Sequence, residues 1–104
     1  MIKTTPLIVA SLALLSFTSW AATPDEMENK AGCLACHSKD KKIVGPAYKD
    51  VAAKYKGQDV TAKLMEKVRK GGSGVYGPIP MPPNPPSKIS DADLKVVIES
   101  ILKL

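Results

Sequence analysis

Three side chains in one short stretch are the clearest candidates for chemistry: Cys33, Cys36 and His37, in the order Cys33-Leu34-Ala35-Cys36-His37. The chain holds two cysteines and one histidine, and all of them are here. A closed zinc site needs four ligands, so this set falls short. A redox-active dithiol motif needs a strand–helix–strand setting, and the sequence carries no strand signal. A plain disulfide leaves His37 without a task. Two thiols three residues apart, with a histidine directly after the second, match the attachment signature of a c-type haem. Each thiol can add across one vinyl group of the porphyrin, and the imidazole can then bind the iron. On a helix, positions i, i+3 and i+4 share one face, which would aim all three groups at one flat ligand.

Haem iron has a sixth position, and its occupant decides the function. An open position binds gases or peroxide, as in a haem sensor or a peroxidase-like protein with a labile sixth ligand; a filled one carries electrons. With His37 used, methionine is the natural candidate. Met27 and Met65 fall in expected helices, where methionine is more often core filler. Met27 is also too close in sequence to reach the opposite haem face. Met81 lies outside any helix, in Gly77-Pro78-Ile79-Pro80-Met81-Pro82-Pro83-Asn84-Pro85-Pro86, which holds six prolines in ten residues. A thioether is a weak ligand, and a floppy loop would lose entropy on binding iron. Each well-fitted proline removes about 0.4–1 kcal/mol of unfolded-state freedom. A proline-rich linker would normally join two domains, and here one helix follows.

The elements that must position these groups are helical. Thr23-Pro24-Asp25-Glu26 reads as a helix start, with Thr23 as cap and Glu26 completing a capping box. That helix is expected to run from Pro24 into the cysteine motif, with Met27 and Ala31 inward. A second helix is expected over Ala47 to Lys56, with Tyr48, Val51, Ala52 and Tyr55 on one face and Gly57 as its stop. A third, capped by Asp59, should run to Lys70 with Val60, Leu64 and Val68 as its stripe, ended by Gly71-Gly72. Ser90-Asp91-Ala92-Asp93 should cap the last, carrying Leu94, Val97, Ile98, Ile101 and Leu102 on one side. The fold class is all-α, about four helices around one haem.

The N-terminus reads differently. A short positive start, an apolar run over Leu7 to Phe17, and Ser19-Trp20-Ala21-Ala22 together make a secretory signal peptide. The run is too short to span a bilayer, which takes about 20 residues. Cleavage is expected after Ala21, with Ala22 the runner-up, so residues 1–21 (or 1–22) are the leader and residues 22–104 the domain. The mature domain then has about 80 residues, a size at which a hydrophobic core alone is marginal, and a covalent haem would supply a rigid apolar centre. Fifteen cations include Lys3, which leaves fourteen against ten carboxylates in the mature domain, all but one of them lysines. Such a surface suits transient docking to acidic partners. Nucleic acid is not an expected partner for an exported chain with so few aromatics.

The chain resembles the small monohaem class I cytochromes c of bacterial periplasms. The matching segments are Cys33-Leu34-Ala35-Cys36-His37, Val44 to Lys54, Gly74 to Asn84 and the terminal helix, in the same order. The resemblance implies a four-helix fold with crossed terminal helices, His37 and Met81 as axial ligands, and a monomer without enzymatic activity. It implies single-electron exchange with nitrite reductases, terminal oxidases, peroxidases or a bc1-type donor. It further implies that Pro46 accepts the His37 N–H through its carbonyl, and that Asn84 hydrogen-bonds near the Met81 sulfur. Tyr76 stands where many relatives have a tryptophan touching a haem propionate, Lys67 where some have arginine, and Ser100 where they often have tryptophan. The strap also has extra residues after Asn84. Lys30, Lys39, Lys41, Lys42, Lys67 and Lys88 are expected to ring the exposed haem edge.

Overall fold

The computed structural model describes residues 22–104, together with residues 6, 8–14 and 16. The signal-peptide reading therefore falls largely outside them, including residues 17–21 at the expected cleavage point. Among the described leader residues, Ile8, Val9, Leu12 and Leu14 are exposed and in no regular element. No helix among the described residues is long and apolar enough to cross a membrane.

Four α-helices and no strand make up the described chain: α1 Pro24–Ala31, α2 Tyr48–Lys54, α3 Thr61–Lys70 and α4 Asp91–Leu102. The Thr23 hydroxyl accepts from the Glu26 N–H at 3.2 Å, with Pro24 at the first position, so α1 begins where its sequence places it. It ends earlier than expected. Gly32 adopts a left-handed conformation (φ 81°), and its N–H closes back on the carbonyls of Glu28 and Asn29. The cysteine motif follows as a separate 3₁₀ turn, Cys33–Ala35.

α2 and α3 also differ from expectation at their ends. α2 stops at Lys54, with Gly57 at φ 77° in the turn beyond. Asp59 does not cap α3; Val60 holds that position and offers no side-chain cap. Val60 is itself buried. Burying a valine is worth about 1.5–3 kcal/mol, more than the ~1 kcal/mol typical of a side-chain cap, so packing sets the start of α3.

α4 is the central element and packs against α1, α2 and α3. The Ser90 hydroxyl caps it by accepting from the Asp93 N–H at 3.2 Å, and Asp91 and Asp93 complement the helix dipole in its first turn. Its inner face of Leu94, Val97, Ile98 and Ile101 meets Ala31, Tyr48 and Ile89 in one core, with Met27, Val51, Leu64 and Val68 packed around it. That face is wholly aliphatic; Ser100 is half-buried and borders a shallow surface groove with Pro24 and Val96. α1 turns inward not only Ala31 but also Glu28, which is 2% exposed. No apolar periodicity announced that burial.

Candidate haem centre

The turn after α1 gathers the attachment residues. The N–H groups of Cys36 and His37 both donate to the Cys33 carbonyl, at 3.1 and 3.0 Å, so the two thiols and the imidazole are wound into one tight turn. Both thiols are free and half-buried. Burial pushes the Cys33 thiol up, with the Glu28 charge adding to it. That is the opposite of the lowered value a catalytic dithiol needs.

The segment between the turn and α2 is tied back to it. Gly45 N–H donates to Cys36 O at 2.8 Å, Tyr48 N–H to Ser38 O at 2.9 Å and Lys49 N–H to Lys39 O at 3.1 Å. This brings Pro46 to His37, where its carbonyl oxygen lies 2.9 Å from Nδ1. A carbonyl only accepts, so Nδ1 carries the proton and the Nε2 lone pair is left for a metal. The imidazole stacks on Tyr48, with centroids 5.2 Å apart and planes 18° from parallel.

Gly45 completes this seat by having no side chain. A Cβ there would overlap His37 Cε1 and fall 2.9 Å from Nδ1 and 3.0 Å from Nε2. Gly45→Ala is expected to push the ring off the Pro46 carbonyl and to destabilise by about 1–3 kcal/mol, the usual cost of overpacking. Chemical denaturation of the haem-loaded protein, with the His37 ring protons followed by NMR, checks both parts.

Met81 enters from the other end of the chain. Gly72 N–H donates to Met81 O at 2.9 Å, and Met81 N–H returns the bond to Gly72 O at 3.0 Å, a two-residue bridge in an otherwise irregular strap. Gly71, just before it, has φ 68° and lets the Met81 carbonyl approach closer than any side chain would allow. Met81 is half-buried and lines the same cleft as Cys33, Cys36 and His37, whose floor is Leu94, Ile98 and other apolar side chains.

Tyr76, Lys67 and Asn84 also line this cleft. Tyr76 is at its mouth, 41% exposed, with the Lys54 ammonium 5.9 Å from its ring centroid; partial burial, then Tyr55 and Asp50, push its phenol up, so the hydroxyl stays a donor. Asn84 is buried, but its Nδ2 donates to Val68 O at 3.3 Å and Pro82 O at 3.0 Å rather than to sulfur. Of the six lysines expected around the haem edge, Lys67 lines the cleft, while Lys39 pairs with Asp25 at 3.1 Å.

Two residues escaped the sequence reading. Glu28 is buried beneath the turn with one carboxylate oxygen unpartnered. Arg69 ties the strap to α4 through hydrogen bonds to Asn84 O, Ile89 O and Asp91. Its one visible signal is that it is the only arginine among the fifteen basic residues.

The donor set fits a haem. A mostly apolar cleft, two free thiols, an imidazole with Nε2 available and a thioether suit a flat apolar macrocycle anchored twice and ligated by iron. Comparison with known proteins agrees. The family model described as "Cytochrome c" matches residues 26–104. The chain belongs to the cytochrome c family, as a small monohaem class I member with one covalently bound c-type haem.

Its similarity to individual members is high along most of its length. Cytochrome c2 of Rubrivivax gelatinosus is 55% identical over 83 residues, covering 79% of this chain and 98% of that protein. Cytochrome c-552 of Nitrosomonas europaea is 43% identical over 103 residues, 98% of each chain. The crystal structure of the Nitrosomonas europaea cytochrome c552 superposes with a TM-score of 0.71 at 47% identity, covering 77% of this chain and 98% of that one. These relatives are all named as cytochromes c, and the all-α cytochrome c fold is the one found here.

Proposed function

We propose that this protein is a periplasmic single-electron carrier whose iron is held by His37 on one side and Met81 on the other, with Cys33 and Cys36 as thioether anchors. The observation that carries the reading is the placement of Met81, on a proline-stiffened strap bridged to Gly72, in the cleft that also holds Cys33, Cys36 and His37. When bound, the haem supplies a reversible ferric–ferrous couple, raised in potential by a thioether ligand and apolar walls. The chain's own part is to hold still. Pro46 fixes the His37 tautomer, Gly45 and Tyr48 fix its ring plane, and the aliphatic face of α4 excludes water. Tyr76 and Lys67 are the donors placed to meet haem propionates.

The leader-like N-terminus supports export, and the lysine-rich surface supports brief encounters with acidic redox proteins. Nitrite reductases, terminal oxidases, peroxidases and a bc1-type donor are the partner classes in view. Redox titration of the haem-loaded protein tests the proposal. The wild type is expected to take up one electron reversibly and to bind carbon monoxide poorly, whereas Met81→Ala should drop in potential and bind it readily. A wild type that binds carbon monoxide as readily as Met81→Ala would make this a sensor or peroxidase-like protein instead.

A further inference from the structure

We propose that Arg69 is a positioning residue for the sixth iron ligand: its guanidinium latches the strap so that the Met81 thioether stays on the iron. The inference rests on the reading of Met81 as axial ligand, and adds to it a second residue that governs how firmly that ligand is held.

Arg69 sits in the last turn of α3 with its side chain only 19% exposed. Nη1 donates to Asn84 O at 3.1 Å and to Ile89 O at 2.8 Å, and Nη2 to the Asp91 carboxylate at 2.5 Å. One planar cation thus joins the end of the strap, the segment before α4 and the first turn of α4. The neighbouring residue on α3 grips Asn84 from its other side: Val68 O accepts from the Asn84 backbone N–H at 3.1 Å and from Nδ2 at 3.3 Å. Asn84 is therefore held by its donors and by its acceptor at once.

Only Pro82 and Pro83 separate Asn84 from Met81. Their fixed φ angles leave little slack, so displacement at Asn84 is passed on to Met81. On the upstream side the Gly72–Met81 bridge has no charged member. Arg69 supplies the charge-assisted bonds of the downstream side, and its fork serves three acceptors where a lysine ammonium cannot match the same planar arrangement. Loss of the latch raises the fraction of molecules with the thioether off the iron. An exogenous ligand then binds more tightly in proportion to that fraction.

Imidazole binding to the ferric haem-loaded protein reads this fraction directly. Arg69→Met is expected to bind imidazole about tenfold more tightly than wild type, as the loss of a charged hydrogen bond from the closed state requires. Arg69→Lys should fall between them. Met27→Ala, which loosens the packing of α1 on the core at a residue outside the cleft and the strap, should leave imidazole affinity at the wild-type value even though its denaturation midpoint falls. Unchanged affinity in Arg69→Met, or an equal gain in Met27→Ala, would overturn the proposal. If Arg69→Met does not accept haem, Arg69→Lys and Asp91→Asn carry the same comparison. A wild-type ferric spectrum without a Met–iron charge-transfer band would instead sink the Met81 reading itself, so the two failures are distinguishable.

Discussion

Gly71→Ala is expected to dislodge the Met81 strap and to leave the iron's sixth position open. A Cβ at this site lands on the Met81 carbonyl oxygen and lies 2.9 Å from both Pro82 C and Pro83 N. Every one of those atoms is backbone, so none can rotate aside. The residue also holds φ 68° and ψ −149°, a region that is essentially reserved for glycine. Forcing a side chain there costs about 1–3 kcal/mol, and the steric overlap adds a further ~1–3 kcal/mol. The strap can relieve both only by moving, and Met81 moves with it. Thermal melting of the haem-loaded variant should show a fall of roughly 4–8 °C for each kcal/mol lost, together with loss of the Met–iron charge-transfer band. A variant that kept both the melting temperature and the band would show that the strap tolerates displacement here.

Glu28→Leu is expected to stabilise the protein, and to do so most at neutral pH. Glu28 lies on α1 with 2% of its surface exposed and Oε2 without a hydrogen-bond partner. Burial raises its carboxyl above the ordinary carboxylate range; the Asp25 charge adds to that, and Lys39 opposes it. Lys39 is itself paired with Asp25 at 3.1 Å, which limits what it offers Glu28. Tyr48, the buried ring nearby, has its own phenol pushed up by burial and by the Glu28 charge, so it stays a neutral hydroxyl. The folded state therefore binds the Glu28 proton more tightly than the unfolded chain does. The stability that follows is fully present below the ordinary carboxylate value and is lost as pH rises through the raised folded value. At neutral pH a buried, under-bonded polar group of this kind costs about 1–3 kcal/mol. Leucine removes that cost and puts an apolar side chain in the buried position that the carboxylate now fills. Guanidinium unfolding at neutral pH and at a pH below the carboxylate range should show the larger gain at neutral pH. An equal gain at both, or a loss, would mean that Glu28 is solvated or paired.

Local rules were legible in the chain wherever a single residue type decides the backbone. Thr23 and Ser90 cap the helices assigned to them, and the Gly71 break ends α3 as expected. The aliphatic face of α4 could be read from its spacing because nothing competes with it. The cysteine motif was read correctly as one cluster but for an incomplete reason. Gly32 breaks the helix before it, and a 3₁₀ turn rather than an α-helix face brings the groups together. A glycine can be a stop or a tolerated interior residue, and only the surrounding hydrogen bonds choose between them.

What stayed hidden is tertiary. Asp59 looked like a cap, yet burial of Val60 next to it shifts the start of α3. Asn84 looked free to face the Met81 sulfur, but two backbone carbonyls take its amide. Glu28 and Arg69 are polar residues whose partners are brought in by packing from distant parts of the chain. Neither hydrophobic periodicity nor motif spacing encodes such contacts. Gly45 and Gly71 belong to the same class, since each matters through what it allows another segment to approach.

The most direct measurement is the ferric absorption spectrum of the haem-loaded wild type beside that of Met81→Ala. A low-spin spectrum with a Met–iron charge-transfer band in the wild type, absent from Met81→Ala, is the result expected of an electron carrier ligated by His37 and Met81. A high-spin wild-type spectrum, or a charge-transfer band that survives in Met81→Ala, would contradict it.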